Sequence, residues 1–148
     1  MADDEALIRC RACKTVNKVP VSRFEESPHC GKCKGVLEIP AKPVDVTVMN
    51  FDEEVNLWPG LVLLDFWAQW CGACRMVAPI LEDLAKRARG FVKVVKIDVD
   101  VAQELGRRFG IKATPTLVLY RNGKKINEIA GALTSEQIDE WLAASVRA

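Results

Sequence analysis

Six cysteines arranged as three CxxC pairs are the most reactive feature of this 148-residue chain. The pairs are Cys10 with Cys13, Cys30 with Cys33, and Cys71 with Cys74. Two pairs lie near the N-terminus and are separated by sixteen residues, whereas the third lies in the middle of the chain. Closely spaced thiols either bind a metal ion or exchange disulfides, and the residues around each pair decide between these chemistries.

The composition is typical of a globular protein of about one domain. Hydrophobic residues make up 49% of the chain, and 21 basic residues nearly balance 20 acidic ones, so no net charge favours nucleic acid or anionic lipid. The most apolar segment, 61–68, is far shorter than the roughly 20 residues of a membrane span. The acidic first nine residues do not resemble a signal peptide. We therefore expect a cytoplasmic protein whose thiols are kept reduced.

The four N-terminal cysteines have the spacing of a tetrahedral four-thiolate zinc site that would hold one ion. Gly31 is expected to permit a tight turn between two of them. Residues 1–34 contain few periodic apolar runs, so we expect metal rather than a core to hold this segment. Two labile disulfides or mobile thiols are the alternative. His29, beside Cys30, could replace a lost ligand, although four thiolates already complete a tetrahedron.

A linker follows this segment, because Pro40 and Pro43 lack backbone donors and favour extended neighbours. The predicted domains are therefore a zinc ribbon with its linker at 1–40 and a second domain at 41–148.

Beyond the linker the hydrophobic periodicity alternates between that of strands and that of helices. It predicts strands at 44–49, 61–68, 92–99, 116–121 and 124–130, and helices at 51–58, 71–89, 100–110 and 134–146. Asp100 with Gln103 and Thr134 with Gln137 are predicted capping pairs, and residues 122–123 (NG) are a predicted hairpin turn. This βαβαβαββα order predicts an α/β fold in which a mixed sheet has helices on both faces.

That order, together with several short motifs, closely resembles the thioredoxin family. The motifs are WCGAC at 70–74, DFWA at 65–68, TPT at 114–116, NG at 122–123 and GAL at 131–133. The resemblance covers residues 44–148, and the additional CxxC pairs resemble the zinc-containing bacterial thioredoxins often called thioredoxin 2. It implies a thioredoxin fold after a small zinc ribbon, reduction of protein disulfides, and regeneration by an NADPH-dependent thioredoxin reductase without a bound redox cofactor.

The third CxxC pair lies at a predicted junction between a strand and a helix. There, backbone N–H groups and the helix dipole favour a thiolate at Cys71, which makes it the expected nucleophile. Cys74, one turn later, is the expected resolving thiol, screened from large substrates. The alternatives are inert core cysteines or half of a third metal site. Ala73 replaces the proline of most thioredoxins and is expected to offer an N–H to the Cys71 sulfur.

Asp65 interrupts an apolar strand, where an unpaired carboxylate has a raised pKa. The resemblance implies that it accepts the proton of Cys74 and that Lys96, on the neighbouring strand, tunes its ionisation. The alternatives are an Asp65 that turns outward and an ordinary exposed lysine at 96.

The resemblance also implies a flat docking surface around the sulfurs and a cis peptide bond before Pro115. The expected surface residues are Trp70, Gly72, Ala73, Thr114, Pro115, Gly131 and Ala132. Two other functions remain open. One is a zinc-dependent protein-binding module on a thioredoxin-like scaffold, and the other is a more oxidising disulfide oxidase or isomerase.

Overall fold

The computed structural model describes residues 4–147, which form seven strands and three α-helices. The strands are β1 (Glu5–Arg9), β2 (Val16–Pro20), β3 (Val44–Asp45), β4 (Leu61–Trp67), β5 (Val92–Asp98), β6 (Thr116–Arg121) and β7 (Lys124–Ala130). The helices are α1 (Gly72–Arg87), α2 (Gln103–Arg108) and α3 (Ser135–Arg147), with a 3₁₀ helix at Val21–Glu26 and a π-helical segment at Asp52–Asn56. Within the described residues, no helix is long and apolar enough to cross a membrane.

Five strands form a mixed sheet in the order β3-β5-β4-β6-β7. The first three of these are mutually parallel, whereas β6 and β7 run antiparallel to their neighbours. β4 is central, and residues 62–66 are buried because both faces of the sheet are covered. The predicted mixed sheet is confirmed, and its register pairs Asp65 of β4 with Lys96 of β5.

The two faces of the sheet carry different helices. Leu81 of α1 and Leu142 of α3 belong to the apolar cluster on one face, whereas Val55 of the π-helical segment and Leu105 of α2 belong to the other. The predicted placement of helices on both faces is therefore confirmed. The third pair of cysteines lies at the start of α1, at the edge of the sheet where the parallel strands end.

The first strand of this sheet is shorter than predicted, because the chain turns after Asp45. The Asn50 side chain holds the turn: its Oδ1 accepts the Thr47 N–H at 2.9 Å, and its Nδ2 donates to the Asp45 carbonyl at 3.1 Å. Local bonds of this kind compete with strand pairing. The predicted strand at 44–49 is therefore wrong beyond residue 45.

Of the two predicted capping pairs, one is correct. The Thr134 N–H donates to Gln137 Oε1 at 2.9 Å, and the Gln137 N–H donates to Thr134 Oγ1 at 3.1 Å. Asp100, by contrast, caps no helix, because α2 begins at Gln103 without a side-chain cap. Asp98 Oδ1 instead accepts the Asp100 N–H at 2.9 Å in the preceding turn.

The N-terminal segment packs into the same core as the sheet, which contradicts the expectation that metal alone holds it. β1 and β2 form an antiparallel hairpin. Ile8 and Val19 of this hairpin, and Phe24 after it, share one apolar cluster with Val46 and Val55. The hairpin contributes too few apolar residues for a core of its own, and the second unit supplies the remaining surface.

A charge network around two buried groups, Glu54 and Lys93, also joins the N-terminal segment to the sheet through the more exposed Arg11. Arg11 donates to both Glu54 oxygens at 2.7 and 3.0 Å, and Lys93 Nζ donates to Glu54 Oε1 at 2.8 Å. Only 4% of Glu54 and 2% of Lys93 is exposed. Burial opposes ionisation of Glu54, but the hydrogen bonds from both cations hold its pKa below the ordinary value. Burial lowers the pKa of Lys93 to about 8. The sequence analysis missed this network.

A second contact joins the two parts at the end of α1. The Phe24 ring lies 6.3 Å from that of Phe91, and the Arg89 guanidinium lies 5.3 Å from the Phe24 centroid. Arg89 also pairs with Glu25 at 2.9 Å. Gly90 has a φ of 85°, and a Cβ there would lie 2.7 Å from the Phe24 ring. Glycine is therefore required at this position both for its backbone conformation and for space.

Candidate functional site

Cys71 and Cys74 form a disulfide at the beginning of α1, with Cα atoms 5.3 Å apart. Cys71 is the N-cap residue, and the Cys74 N–H donates to its sulfur at 3.1 Å. The expected placement of Cys71 at the helix N-terminus is confirmed, but the N–H on its sulfur is that of Cys74 and not that of Ala73. Cys74 is buried, with 6% of its surface exposed, which agrees with the expected screening, but Cys71 is equally buried at 5% in the disulfide form.

The loop before β6 lies against the disulfide. The Thr114–Pro115 peptide bond is cis, as the resemblance implied. The Thr114 carbonyl oxygen lies 3.4 Å from Cys71 Sγ. The Gly131 N–H donates to the Pro115 carbonyl at 2.9 Å, which holds the end of β7 beside this loop. The loop before β6 therefore contacts the Cys71 sulfur directly, and the end of β7 is held to that loop.

Trp70 is the largest exposed apolar side chain beside the sulfurs, with 69% of its surface accessible. Its Nε1 donates to Asp100 Oδ2 at 2.9 Å, so Asp100 orients the indole instead of capping α2. Of the other predicted surface residues, Gly72, Gly131 and Ala132 are exposed, whereas Ala73 and Thr114 are half-buried. Pro115 is buried, so it lies beneath the surface that the sequence predicted it to form. A groove of 430 Å³ begins at Trp70 and Thr114 and continues along α2.

Asp65 lies inside the molecule behind the disulfide, with 3% of its surface exposed. Burial raises its pKa to about 7, although the positive charge of Lys96 partly opposes this rise. Among the described residues, its Oδ1 has no hydrogen-bond partner. A pocket of 330 Å³ connects Asp65 with Cys74 and Lys96. Lys96 Nζ lies 4.5 Å from the Trp67 ring centroid. Because Asp65 is buried, the alternative of an outward-facing Asp65 is wrong.

The four N-terminal cysteines converge on one point, and all four sulfurs lie within 4.8 Å of one another. Cys10 and Cys33 have sulfurs 3.6 Å apart, and those of Cys13 and Cys30 are 3.5 Å apart. A tetrahedral ion with Zn–S bonds of about 2.3 Å requires sulfurs about 3.8 Å apart. The four thiols therefore fit a zinc ion, and within residues 4–147 His29 lies outside this group.

Each CxxC pair of this cluster forms the same turn. The Lys14 N–H donates to the Cys10 carbonyl at 2.8 Å, and the Lys34 N–H donates to the Cys30 carbonyl at 3.0 Å. The left-handed residues are Lys14, with a φ of 70°, and Lys34, with a φ of 67°. The expectation that Gly31 provides this conformation is wrong. Backbone N–H groups, first that of Cys33, lower the pKa of the Cys30 thiol to about 6 against the opposing effect of burial. The pKa of Cys33 moves the other way, to about 11: the Gly35 N–H lowers it, but the neighbouring Cys10 thiol and burial raise it.

Comparison with known proteins agrees with both parts of the structure. The family model described as Thioredoxin matches residues 42–144, and the model described as Thioredoxin 2, N-terminal, matches residues 9–35. Thioredoxin C-3 of Corynebacterium nephridii is 34% identical over 136 residues, which cover 92% of each chain. The thioredoxin of Pseudomonas aeruginosa is 37% identical over 103 residues, 70% of this chain and 95% of that relative.

A solved structure gives the same result. A mutant thioredoxin from Halobacterium salinarum superposes with a TM-score of 0.66 at 32% identity, and the match covers 73% of this chain and 94% of the other. The mixed sheet, the CxxC disulfide at the start of α1 and the N-terminal group of four cysteines accord with these matches. The chain belongs to the thioredoxin family of thiol-disulfide oxidoreductases and carries the N-terminal zinc ribbon of the thioredoxin 2 type.

Proposed function

We propose that the chain reduces protein disulfides through separate roles for Cys71 and Cys74. The Cys71 thiolate attacks one sulfur of a substrate disulfide, which forms a mixed disulfide and releases the other substrate sulfur as a thiolate. Cys74 then attacks Cys71, which releases the second substrate thiol and leaves the Cys71–Cys74 disulfide. Two electrons pass from the dithiol to the substrate. The observation that supports this most directly is the N-cap position of Cys71, with Cys74 one turn behind it.

Asp65 is proposed as the acceptor of the Cys74 proton. A general base works best when its pKa lies near the ambient pH, and the pKa of Asp65 is raised to about 7. The pocket that borders both Asp65 and Cys74 offers a route for that proton. Lys96 borders the same pocket, and its charge favours the ionised carboxylate, so we propose that it tunes the step.

The proposed docking surface surrounds Cys71. It comprises Trp70, Gly72, Ala73, Thr114, Pro115, Gly131 and Ala132. Exposure of the Trp70 indole and the 3.4 Å distance from the Thr114 carbonyl oxygen to Cys71 Sγ support this assignment. An extended substrate segment would pair with the Thr114 backbone while its disulfide meets Cys71. The substrates are proteins that contain disulfides, and no nucleic-acid or membrane partner is proposed.

The remaining partners follow from the chemistry of the thiols. The dithiol has to be regenerated, for which we propose an NADPH-dependent thioredoxin reductase and no bound redox cofactor. One zinc ion held by the four N-terminal cysteines would stabilise the ribbon at 1–40 ahead of the thioredoxin domain at 41–148. Both sites need reduced thiols, so we propose that the protein acts in the cytoplasm, where thiols are kept reduced.

Reduction of insulin disulfides by the full-length protein, supplied with NADPH and thioredoxin reductase, tests the proposed roles. Cys71→Ser should abolish turnover. Cys74→Ser should accumulate a mixed disulfide that dithiothreitol releases. If Cys74→Ser turned over insulin as fast as the parent protein, the division of roles would be wrong. A midpoint potential close to that of strong oxidants, about −120 mV, would favour the oxidase alternative instead.

A further inference from the structure

Asn17 is a polar residue at a position of β2 that faces the interior. The residue paired with it in the hairpin, Ile8, is fully buried, and Val19, two residues along the same face, is buried as well. Asn17 itself is half-buried, so its amide loses part of its contact with water and hydrogen bonds within the protein replace it. The partners of its hydrogen bonds therefore indicate which part of the structure Asn17 positions.

The Asn17 amide connects the two CxxC turns of the zinc ribbon. Its Oδ1 accepts the Gly31 N–H at 2.9 Å in the second turn. Its Nδ2 donates to the Thr15 carbonyl at 3.2 Å beside the first turn and lies 3.5 Å from Cys30 Sγ. The Gly31 N–H is a donor, so the amide atom that faces it is the oxygen, which fixes the orientation of the Asn17 amide. One side chain thus contacts a metal-binding sulfur and both halves of the site.

We propose that Asn17 is a positioning residue of the zinc centre that orients the Cys30 sulfur and strengthens binding of the metal. An ion with four thiolates is an anionic group, and N–H donors stabilise it and fix the direction of each sulfur. Other N–H donors to these sulfurs, such as those from Lys32 to Cys30 and from Gly35 to Cys33, belong to the turn that contains their sulfur. Asn17 differs because its donor comes from the hairpin and spans both turns. The inference rests on the proposed zinc occupancy.

The test compares zinc binding by the full-length protein and three variants, with a chromophoric chelator as competitor. Asn17→Ala removes all the amide contacts and should weaken zinc binding by about 10- to 100-fold, the usual effect of losing an outer contact. Asn17→Asp keeps an acceptor for the Gly31 N–H but places a carboxylate oxygen against the Cys30 sulfur. It should therefore bind zinc at least as weakly as Asn17→Ala. Lys18→Ala, an exposed neighbour on the same strand, should bind zinc as the parent does.

Cobalt substitution supplies a readout that loss of folding does not imitate. Removal of an N–H donor raises the energy of the sulfur electrons, so the thiolate-to-cobalt absorption band of both Asn17 variants should move to longer wavelength. Parental zinc affinity and an unshifted band in Asn17→Asp would overturn the proposal, since the bridge to Gly31 would then be the whole role. A parent protein that binds neither metal would refute the zinc site itself.

Discussion

Replacement of Asp65 by asparagine is expected to stabilise the protein by an amount that grows with pH. The carboxyl has an ordinary pKa of 3.8 that burial raises to about 7 in the folded protein. At about 1.36 kcal/mol for each pH unit, this difference amounts to about 4 kcal/mol. The oxidised protein is the form to measure, because neither Cys71 nor Cys74 titrates in it.

The direction follows from where the proton is bound. Below pH 3.8 the carboxyl is protonated in both the folded and the unfolded chain, so burial carries no ionisation penalty. Between pH 3.8 and about 7 only the unfolded chain releases the proton, so the stability of the parent falls as pH rises. Above pH 7 the folded protein holds a buried carboxylate and carries the whole penalty. Asparagine does not ionise, so the Asp65→Asn variant carries no ionisation penalty at any pH.

Urea unfolding at several pH values measures the effect. The free energy of unfolding of Asp65→Asn should exceed that of the parent by about 2 kcal/mol at pH 5 and by about 4 kcal/mol at pH 8.5. The zinc ion proposed for the ribbon would also respond to pH, so the quantity to compare is the difference between the two proteins. Asp45→Asn, which changes an exposed carboxylate on β3, should show no such trend. An advantage of Asp65→Asn that did not vary with pH would refute the reasoning.

Three further changes test other parts of the structure. Glu54→Gln leaves two cations around a neutral amide and should lower the free energy of unfolding by about 3 to 5 kcal/mol in urea titrations. Gly90→Ala should cost about 2 kcal/mol or more in the same assay, whereas Gly110→Ala, whose Cβ meets nothing within 4 Å, isolates the cost of a positive φ. Ala73→Pro keeps the Cys74 N–H on the sulfur, so its midpoint potential in glutathione buffers should stay within about 30 mV of the parent.

The reactive residues could be located from sequence because each has a local signal. The CxxC pair at 71–74 follows an apolar strand and begins a helical period, and the structure has this arrangement. Asp65 stands out as the one charge in that strand, and its burial agrees with the expectation. The spacing of the four N-terminal cysteines likewise led to a convergent group of sulfurs.

The contacts between the two parts could not be predicted in this way, because their signals lie far apart in the chain. Glu54 occurs in a short acidic run, which is typical of a surface residue. It is nevertheless buried, and it accepts hydrogen bonds from Arg11, 43 residues earlier, and from Lys93, 39 residues later. Asp100 was assigned to a helix cap because it precedes Gln103 by three residues. Its partner, Trp70, is 30 residues away. Pairings at such separations depend on the folded chain and leave no periodic pattern.

The position of these contacts explains how one chain carries the zinc-ribbon cysteines and the redox disulfide without mutual obstruction. Arg11 pairs with Glu54, which in turn pairs with Lys93, the second residue of β5. Phe24 packs on Phe91, which directly precedes that strand. The redox disulfide follows the opposite end of the parallel strands, about 16 Å farther along at about 3.3 Å per residue. The ribbon is therefore fixed at the end of the sheet remote from Cys71, and a substrate can reach that sulfur while the ribbon stays in place.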